Sequence, residues 1–509
     1  MSQYKDDQAP LHSPEPMTLG RLKAVSVRGG LVTVSAMGVN QFLRLAVVAV
    51  MSRLLTPVDF GVIAMTMGVL SVGMVFRDLG LAAATVQREN LTDSHINTVF
   101  WINVGAGALA TVLGCLGAPL VASFFGDARL TAVTRVLSFN FVLGALAAQH
   151  NALLVRQLKF ALTSKLQVIS ALASGLLAVA AARAGAGYWA LVVQVLSADV
   201  ISVLLVWHQS PWRPGRPRFD PTVWPMLSFG GYLVQFGLMA YVGTYGSVLL
   251  MGRFLGAAPL GQYSRADLLT RTLLGYISQP LGSIAAPALS RLQNEPDTYA
   301  RYYLRGIEVM ALLSLPIGAA CVIMGPDLVL AMLGKQWTQT GYLVRQFAPG
   351  MCVQPIMSST GWLYMSSGRT RQMLRWGAYG WTFLLVATVG GLLVGDLGGP
   401  AWGVAGVATA YSTALLLLAW PCMAYAFRGT TLRVSMVVKA CRVPFLAAVA
   451  AALAAAVVHL VLHGYSVWLR LPGEAAVMIA VYAALVLASI GSRRTIADII
   501  THMRPGMRP

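Results

Sequence analysis

Three arginines lie inside long apolar stretches of this sequence, where a charged side chain is unusual. They are Arg44, Arg265 and Arg271. A charge near the centre of a bilayer costs at least about 2.5–3.5 kcal/mol on insertion scales, so each side chain should face a cavity or an opposite charge. Because a guanidinium binds two phosphate oxygens at once, these arginines predict a cavity that holds a diphosphate. The alternative is that each arginine pairs with an acid and fixes helix packing.

Few acidic residues lie inside the apolar stretches to balance these arginines. Asp267 precedes Arg271 by four residues, so the two can pair along one helix, whereas Arg265 is rotated by about 120° from Arg271. Asp199 and Glu308 are isolated acids. Each of the three acids either neutralises an arginine or binds a coupling proton or cation, and the sequence leaves both roles open.

Uncharged polar side chains in the same stretches offer hydrogen-bonding groups to sugar hydroxyls. Asn40 and Gln41 lie about one turn before Arg44 on roughly the same helix face, and the three form a polar stripe that should face a lumen. The candidates for glycan contacts are Asn40, Gln41, His150, Tyr241 and Tyr245. For His150 and the two tyrosines, helix contacts and positions at the membrane interface fit the sequence equally well.

The elements that must position these side chains are membrane-spanning helices. Hydrophobic residues make up 57% of the 509 and charged residues only 11%, against about 25% charged residues in soluble domains. Runs of about 20 apolar residues recur along the chain, each long enough to cross a bilayer as a helix. We predict an all-α membrane protein with about fourteen spans, at residues 29–54, 59–80, 97–124, 131–155, 165–184, 187–208, 226–252, 260–285, 303–325, 341–366, 373–395, 401–427, 438–462 and 474–491.

A repeated segment indicates that the chain consists of two similar halves. The segment 51–61 recurs 200 positions later at 251–261, with Met, Arg, Leu and Gly in matching places. A proline-rich linker follows the sixth span, and six is an even number, so both halves enter the membrane in the same direction and form parallel six-helix lobes. The predicted divisions are an N-terminal segment at 1–27, an N-lobe at 28–208, a linker at 209–225, a C-lobe at 226–427, a helix hairpin (spans 13 and 14) at 428–491 and a C-terminal tail at 492–509.

The net charge of +19 follows membrane topology and does not indicate nucleic-acid binding. With both termini in the cytoplasm, most Lys and Arg residues fall in inner loops, as the positive-inside rule requires. This pattern predicts a bacterial inner-membrane protein. The five cysteines lack the spacing of a metal site, and there is no GxxxxGK[ST] loop, so we expect neither a cofactor nor an enzyme.

Five short segments resemble oligosaccharide-lipid flippases of the colanic-acid type, in the polysaccharide transport family of the multidrug/oligosaccharidyl-lipid/polysaccharide exporter superfamily. In the first half, RLLTPVDFGVIAM starts at Arg53, FRDLGLAAATVQR at Phe76 and FWIN at Phe100. In the second half, GRFLGAAPLGQYSRAD starts at Gly252 and PALSRLQ at Pro287. The resemblance covers about residues 25–430, and the last two spans match only in hydropathy.

The resemblance implies two lobes around a V-shaped cavity, as in multidrug exporters of the MATE type, with arginines of spans 1 and 8 on the diphosphate. It implies that the cargo is an undecaprenyl-diphosphate-linked oligosaccharide repeat unit, moved from the cytoplasmic to the periplasmic leaflet for exopolysaccharide synthesis by alternating access. The expected partners are this lipid-linked cargo and membrane lipid. Whether a polymerase or co-polymerase also binds is left open. The rival functions are a cation-coupled multidrug exporter of the same fold and an assembly scaffold without transport.

Overall fold

The computed structural model describes residues 38–78, 85–86, 91–217, 220, 223, 238, 241, 243, 245–396 and 398–489. The described residues form helices joined by short turns, and no strand occurs among them. The predicted all-α class is confirmed. The predicted segments at 1–27 and 492–509 lie outside the described residues.

The chain divides into two compact units, residues 1–261 and 262–509. The helices of the first unit, in chain order, are α1 at 38–54, α2 at Pro57–Asp78, α3 at Asp93–Phe125, α4 at Arg129–Leu137, α5 at Phe139–Arg156, α6 at Phe160–Arg183, α7 at Trp189–Gln209 and α8 at 245–255.

Local sequence signals set the ends of α3. Thr92 caps its start, because its hydroxyl accepts a hydrogen bond from the backbone N–H of His95 while the His95 ring bonds back to the backbone N–H of Thr92. Gly126 ends the helix in the left-handed conformation, with φ 73°. A residue without a Cβ adopts this conformation at little cost, so the chain turns sharply there into α4.

The helix after α8 begins in the first unit and ends in the second. The remaining helices are α9 at Ala257–Arg291, α10 at Pro296–Leu333, a 3-10 turn at Lys335–Trp337, α11 at Thr338–Ser358, α12 at Thr360–Ser366, α13 at Thr370–Asp396, α14 at Pro400–Ala426, α15 at Val434–Val461 and α16 at Val467–Ala488. The last two helices pack against each other and against α10. Small residues allow α13 and α14 to approach closely, since a Cβ on Gly406 would lie 2.2 Å from the carbonyl oxygen of Gly391.

Ten helices among the described residues are long and apolar enough to cross a membrane. They match ten of the fourteen predicted spans. Of the other four, the spans at 29–54 and 226–252 begin outside the described residues. The span at 260–285 lies in α9, which carries three charged residues within two turns, and the span at 341–366 covers parts of α11 and α12. The chain therefore crosses the membrane many times, and the number fourteen remains a prediction, as do the six-helix lobes.

The two copies of the repeat pack against each other within the first unit. A Cβ on Gly61 would lie 1.8 Å from the carbonyl oxygen of Ala257, and a Cβ on Gly261 would lie 1.8 Å from that of Pro57. Positions 57 and 257 are equivalent in the repeat, as are 61 and 261, so the contact is reciprocal. The matching glycines are needed because the backbones of α2 and α9 touch at this crossing.

Candidate substrate-binding site

The polar stripe predicted on α1 contains one exposed arginine. Arg44 is exposed, and no carboxylate within the described ranges lies at ion-pair distance from it. Asn40 and Gln41 are half-buried, and the buried Oδ1 of Asn40 accepts no hydrogen bond from the residues that the structure describes. Phe42, beside them, is 72% exposed. The stripe thus places one guanidinium and two amides in the first half of α1, where the other side chains are apolar.

The charged residues of α9 form the ion pair that their spacing predicts. The Nε of Arg271 lies 2.6 Å from Oδ1 of Asp267, which confirms the pairing along the helix. The Nη2 of Arg271 donates to the hydroxyl of Tyr411 on α14 at 3.2 Å, and the guanidinium lies 5.7 Å from the centre of that ring. A guanidinium has five N–H donors, so these two bonds leave donors of Arg271 for a ligand. Arg265 is half-buried on the same helix.

The two isolated acids are both held by side chains of the protein. The amide of Asn140 on α5 donates to Asp199 on α7. Glu308 on α10 lies 3.2 Å from Nη1 of Arg305, three residues before it on the same helix. The sequence left two roles open for Glu308. The structure places this residue in the first of them, as the partner of an arginine.

The predicted glycan contact on α5, His150, is occupied in helix packing. His150 is fully buried and stacks on Trp207 with 4.6 Å between ring centroids. The rings of Phe100 and Trp212 lie edge-on around it at 6.0 and 5.2 Å. For this residue the structure matches the alternative that the sequence left open, a helix contact.

The two tyrosines also contact protein groups. Tyr241 donates its hydroxyl to the backbone carbonyl of Gly68 at 2.8 Å, and its ring stacks on Tyr245 with 5.5 Å between centroids. The hydroxyl of Tyr241 therefore ties residue 241 to α2. Both side chains are half-buried.

The sequence analysis missed a cluster of ionisable side chains in the second unit. Asp327, His459, Arg470 and Glu474 meet where α10, α15 and α16 pack together. One signal was available, because Arg470 and Glu474 are four residues apart in a mostly apolar stretch. However, Arg470 lies four residues before the predicted start of span 14, and Asp327 lies two residues beyond the predicted end of span 9.

Comparison with known proteins identifies the family. Residues 50–341 match the family model described as "Polysaccharide biosynthesis protein". The chain is similar to the teichuronic acid biosynthesis protein TuaB of Bacillus subtilis, with 25% identity over 62% of this chain and 67% of the relative. It is also similar to the lipopolysaccharide biosynthesis protein WzxC of Escherichia coli, with 21% identity over 70% of this chain and 73% of the relative.

A third relative is named as a transport protein. The succinoglycan biosynthesis transport protein ExoT of Rhizobium meliloti is 22% identical over 58% of this chain and 60% of its own length. These matches confirm the resemblance to flippases of polysaccharide synthesis that the sequence motifs predicted. They also confirm the prediction that the chain is a transport protein and not an enzyme.

Solved structures share the fold. The lipid II flippase MurJ, in an inward closed conformation, aligns with a TM-score of 0.72 at 13% identity, over 92% of this chain and all of that one. An inward-facing multidrug resistance transporter of the MATE family aligns with a TM-score of 0.60 at 14% identity, over 80% of this chain and 99% of that one. The family match spans more than half of the sequence, and we conclude that the chain belongs to the polysaccharide biosynthesis protein family, as a multi-pass membrane transporter.

Proposed function

We propose that the protein moves an undecaprenyl-diphosphate-linked oligosaccharide repeat unit from the cytoplasmic to the periplasmic leaflet for exopolysaccharide synthesis. The observation that carries the proposal is the exposed guanidinium of Arg44, with no carboxylate at ion-pair distance among the described residues. An unneutralised arginine on an apolar helix is too costly to face lipid. It fits a water-filled cavity that receives a phosphorylated headgroup.

Arg271 and Arg265 on α9 are the other two arginines that we propose as ligands of the diphosphate. Arg271 keeps free donors beyond Asp267 and Tyr411, and its partner Asp267 holds the guanidinium in a fixed orientation. A bidentate contact to phosphate needs such an orientation. The names of the relatives support a polysaccharide precursor as cargo, since they include a succinoglycan biosynthesis transport protein and proteins of lipopolysaccharide and teichuronic acid biosynthesis.

Transport would proceed by alternating access, with the glycan and diphosphate inside the protein and the polyprenyl tail in lipid. An inside-negative potential favours outward movement of an anion by about 2.3 kcal/mol per charge per 100 mV. The same field draws an emptied, arginine-rich cavity back toward the cytoplasm. Imposing an inside-negative potential on vesicles should therefore speed the flipping of a charged cargo.

The rival function, export of cationic drugs, needs acids that are available to the substrate. Asp267 pairs with Arg271, Glu308 pairs with Arg305, and Asp199 is hydrogen bonded by Asn140. The acids predicted to serve a cation are therefore engaged by protein groups. This arrangement favours an anionic cargo.

The test is flipping of a labelled undecaprenyl-diphosphate oligosaccharide in proteoliposomes. Arg44→Gln should slow flipping about tenfold or more, since a hydrogen bond to a charged group contributes about 1.5–3 kcal/mol. Arg44→Lys should slow flipping less, because it keeps the charge and loses only the bidentate geometry.

Arg129→Gln is the matched control. Arg129 forms an exposed pair with Asp127 at 2.7 Å beside the turn before α4, and its loss should leave flipping unchanged. Wild-type rates in both Arg44→Gln and Arg271→Gln would overturn the diphosphate site. If the wild type moves no lipid-linked oligosaccharide but confers drug resistance, the rival exporter is correct. If it does neither, the remaining function is that of an assembly scaffold without transport.

A further inference from the structure

A groove opens between α14 and α15, and buried residues of α10 and α11 form its floor. Its volume is about 480 Å³, within the range of about 300–1,000 Å³ that is usual for small-molecule sites. Leu315 and Ile356 on the floor are buried, whereas Trp420 on the α14 side is exposed. Among the described residues that line this space, only Arg442 carries a charge. We call it the α14–α15 groove.

The α15 side of the groove presents a continuous apolar face. Val438, Phe445 and Leu446 line the groove and are each more than half exposed. Together with Arg442 they follow the spacing of three and four residues that places side chains on one face of a helix. Because α15 is long and apolar enough to cross a membrane, these exposed side chains contact hydrocarbon. An acyl chain is therefore the chemistry that fits this part of the groove.

Two basic side chains lie at one end of this face. Arg442 is exposed, and Lys439, three residues before it, is exposed on the same face. Neither lies at ion-pair distance from a carboxylate among the residues that the structure describes. Two unneutralised cations beside hydrocarbon are costly, so they favour an anion as their partner.

The acids of the surrounding helices leave this positive charge in place. All three of these acids lie on α10, since the sequences of α11, α14 and α15 contain none. Glu308 pairs with Arg305, and Asp327 pairs with Arg470. Asp297 is exposed in the first turn of α10. The groove thus offers positive charge that a bound anion can neutralise.

The order of groups along the groove matches the order of groups in a phospholipid. Lys439 and Arg442 lie about 8 and 12 Å along α15 from its first residue. The predicted topology places this end of α15 at the cytoplasmic side, and Phe445 and Leu446 follow in the direction of the bilayer centre. A headgroup beside the two cations therefore has its chains beside the apolar residues.

We propose that the α14–α15 groove binds one anionic phospholipid of the cytoplasmic leaflet, with its phosphate at Arg442 and Lys439 and an acyl chain in the groove. A guanidinium binds two phosphate oxygens at once, and the ammonium adds a second positive charge. Basic pockets between membrane helices bind anionic headgroups in this way. A zwitterionic lipid fits less well, because its headgroup carries a positive charge of its own.

The positive-inside rule explains basic residues at helix ends, but not an arginine within an apolar groove. Arg375, near the start of α13, is exposed and lies at the same predicted side of the membrane, yet it does not line the groove. Arg375→Gln is therefore the matched control. It removes the same charge from the same side and leaves the groove intact.

The experiment is native mass spectrometry of the full chain in neutral detergent, titrated with dioleoyl phosphatidylglycerol or with phosphatidylcholine of the same chains. The wild type should bind phosphatidylglycerol about tenfold or more tightly than phosphatidylcholine. Arg442→Gln should weaken binding of phosphatidylglycerol about tenfold or more, since a hydrogen bond between charged groups contributes that much. Arg375→Gln should leave it unchanged. Equal affinities for the two lipids, or equal losses in the two variants, would overturn the proposal.

A further variant tests whether the groove holds an acyl chain. Ala419→Phe places a ring in the groove from α14 and keeps both cations, so it should also weaken binding of phosphatidylglycerol. Val438→Phe fills the same groove from α15 and serves if Ala419→Phe does not fold. Wild-type affinity in whichever variant folds would contradict the placement of the lipid in the groove.

The cargo lipid is the rival occupant of the groove. Undecaprenyl diphosphate, added at the same concentration, should leave the bound phosphatidylglycerol in place. Displacement would overturn the proposal and identify the groove as a site for the polyprenyl tail. Because lipid binding is measured and not flipping, the result is independent of the Arg44 and Arg271 variants that test the proposed function.

Discussion

At the scale of single residues, Arg271 on α9 combines a local contact with a long-range one. Its bond to Asp267 joins two residues four apart, and its bond to Tyr411 joins residues 140 positions apart. The first contact follows from helix geometry alone. The second depends on how α9 packs against α14, which no local spacing reveals. The two contacts should therefore differ in strength as well as in how predictable they are.

Removing the two contacts one at a time tests this difference. Asp267→Asn should lower the free energy of unfolding by about 1–3 kcal/mol, because a half-buried guanidinium loses its counter-charge at 2.6 Å. Tyr411→Phe should cost less, about 1 kcal/mol, because the ring stays beside the guanidinium, no charge is removed, and one hydrogen bond of 3.2 Å is lost. Unfolding in mixed micelles measures both. Equal losses would contradict this ranking.

At the scale of elements, the crossing of α2 and α9 is the contact least able to change. Backbone, not side chain, lies against Gly61 and Gly261. A flexible neighbour can rotate away from an added methyl group, whereas a carbonyl within a helix cannot. By comparison, a Cβ on Gly105 of α3 would have no atom within 4 Å.

Alanine substitutions at these glycines should therefore have opposite effects. Gly61→Ala and Gly261→Ala should each destabilise the protein by about 1–3 kcal/mol or more, since overpacking forces the helices apart. Gly105→Ala should be neutral, or stabilising by up to about 1 kcal/mol, since alanine favours helix. Thermal unfolding in detergent distinguishes them. A Gly61→Ala variant as stable as Gly105→Ala would show that the two helices do not touch as described.

The sequence predicted the elements better than the partners of individual side chains. Apolar runs gave the helical class, and the spacing of Asp267 and Arg271 gave their ion pair. The burial of His150 among Phe100, Trp207 and Trp212 could not be predicted, because it depends on α3, α5 and α7 meeting in space. The sequence analysis missed the cluster of Asp327, His459, Arg470 and Glu474 for a related reason, since its members come from three helices. Asp327 and Glu474 also lie at or just beyond the predicted ends of spans.

At the scale of the whole molecule, the number and direction of the membrane crossings decide which side each turn faces. With the N-terminus in the cytoplasm and the predicted spans, the turns at Gly126, Gly185 and Gly464 face the periplasm. On the same prediction, the turns at Gly368 and Gly429 should face the cytoplasm. The first three follow odd-numbered spans and the last two follow even-numbered spans, so this assignment rests directly on the predicted order.

Topology mapping with reporter fusions tests the order of crossings. Alkaline phosphatase fused after Gly126, Gly185 or Gly464 should be active, because the enzyme needs the oxidising periplasm to form its disulfides. Fusions after Gly368 or Gly429 should be inactive, and a fluorescent protein should show the reverse pattern. Active phosphatase at Gly429 or inactive phosphatase at Gly464 would require a different number of spans.

The reciprocal crossing of the repeat also bears on how two duplicated halves can drift apart. Seven of the eleven pairs of the repeat differ between the two copies, so those positions had the freedom to change. The pair at 61 and 261 has no such freedom, because each glycine rests on the backbone of the opposite copy. A change in one cannot be rescued by a change in the other. Divergence should therefore have stopped here while it continued on either side.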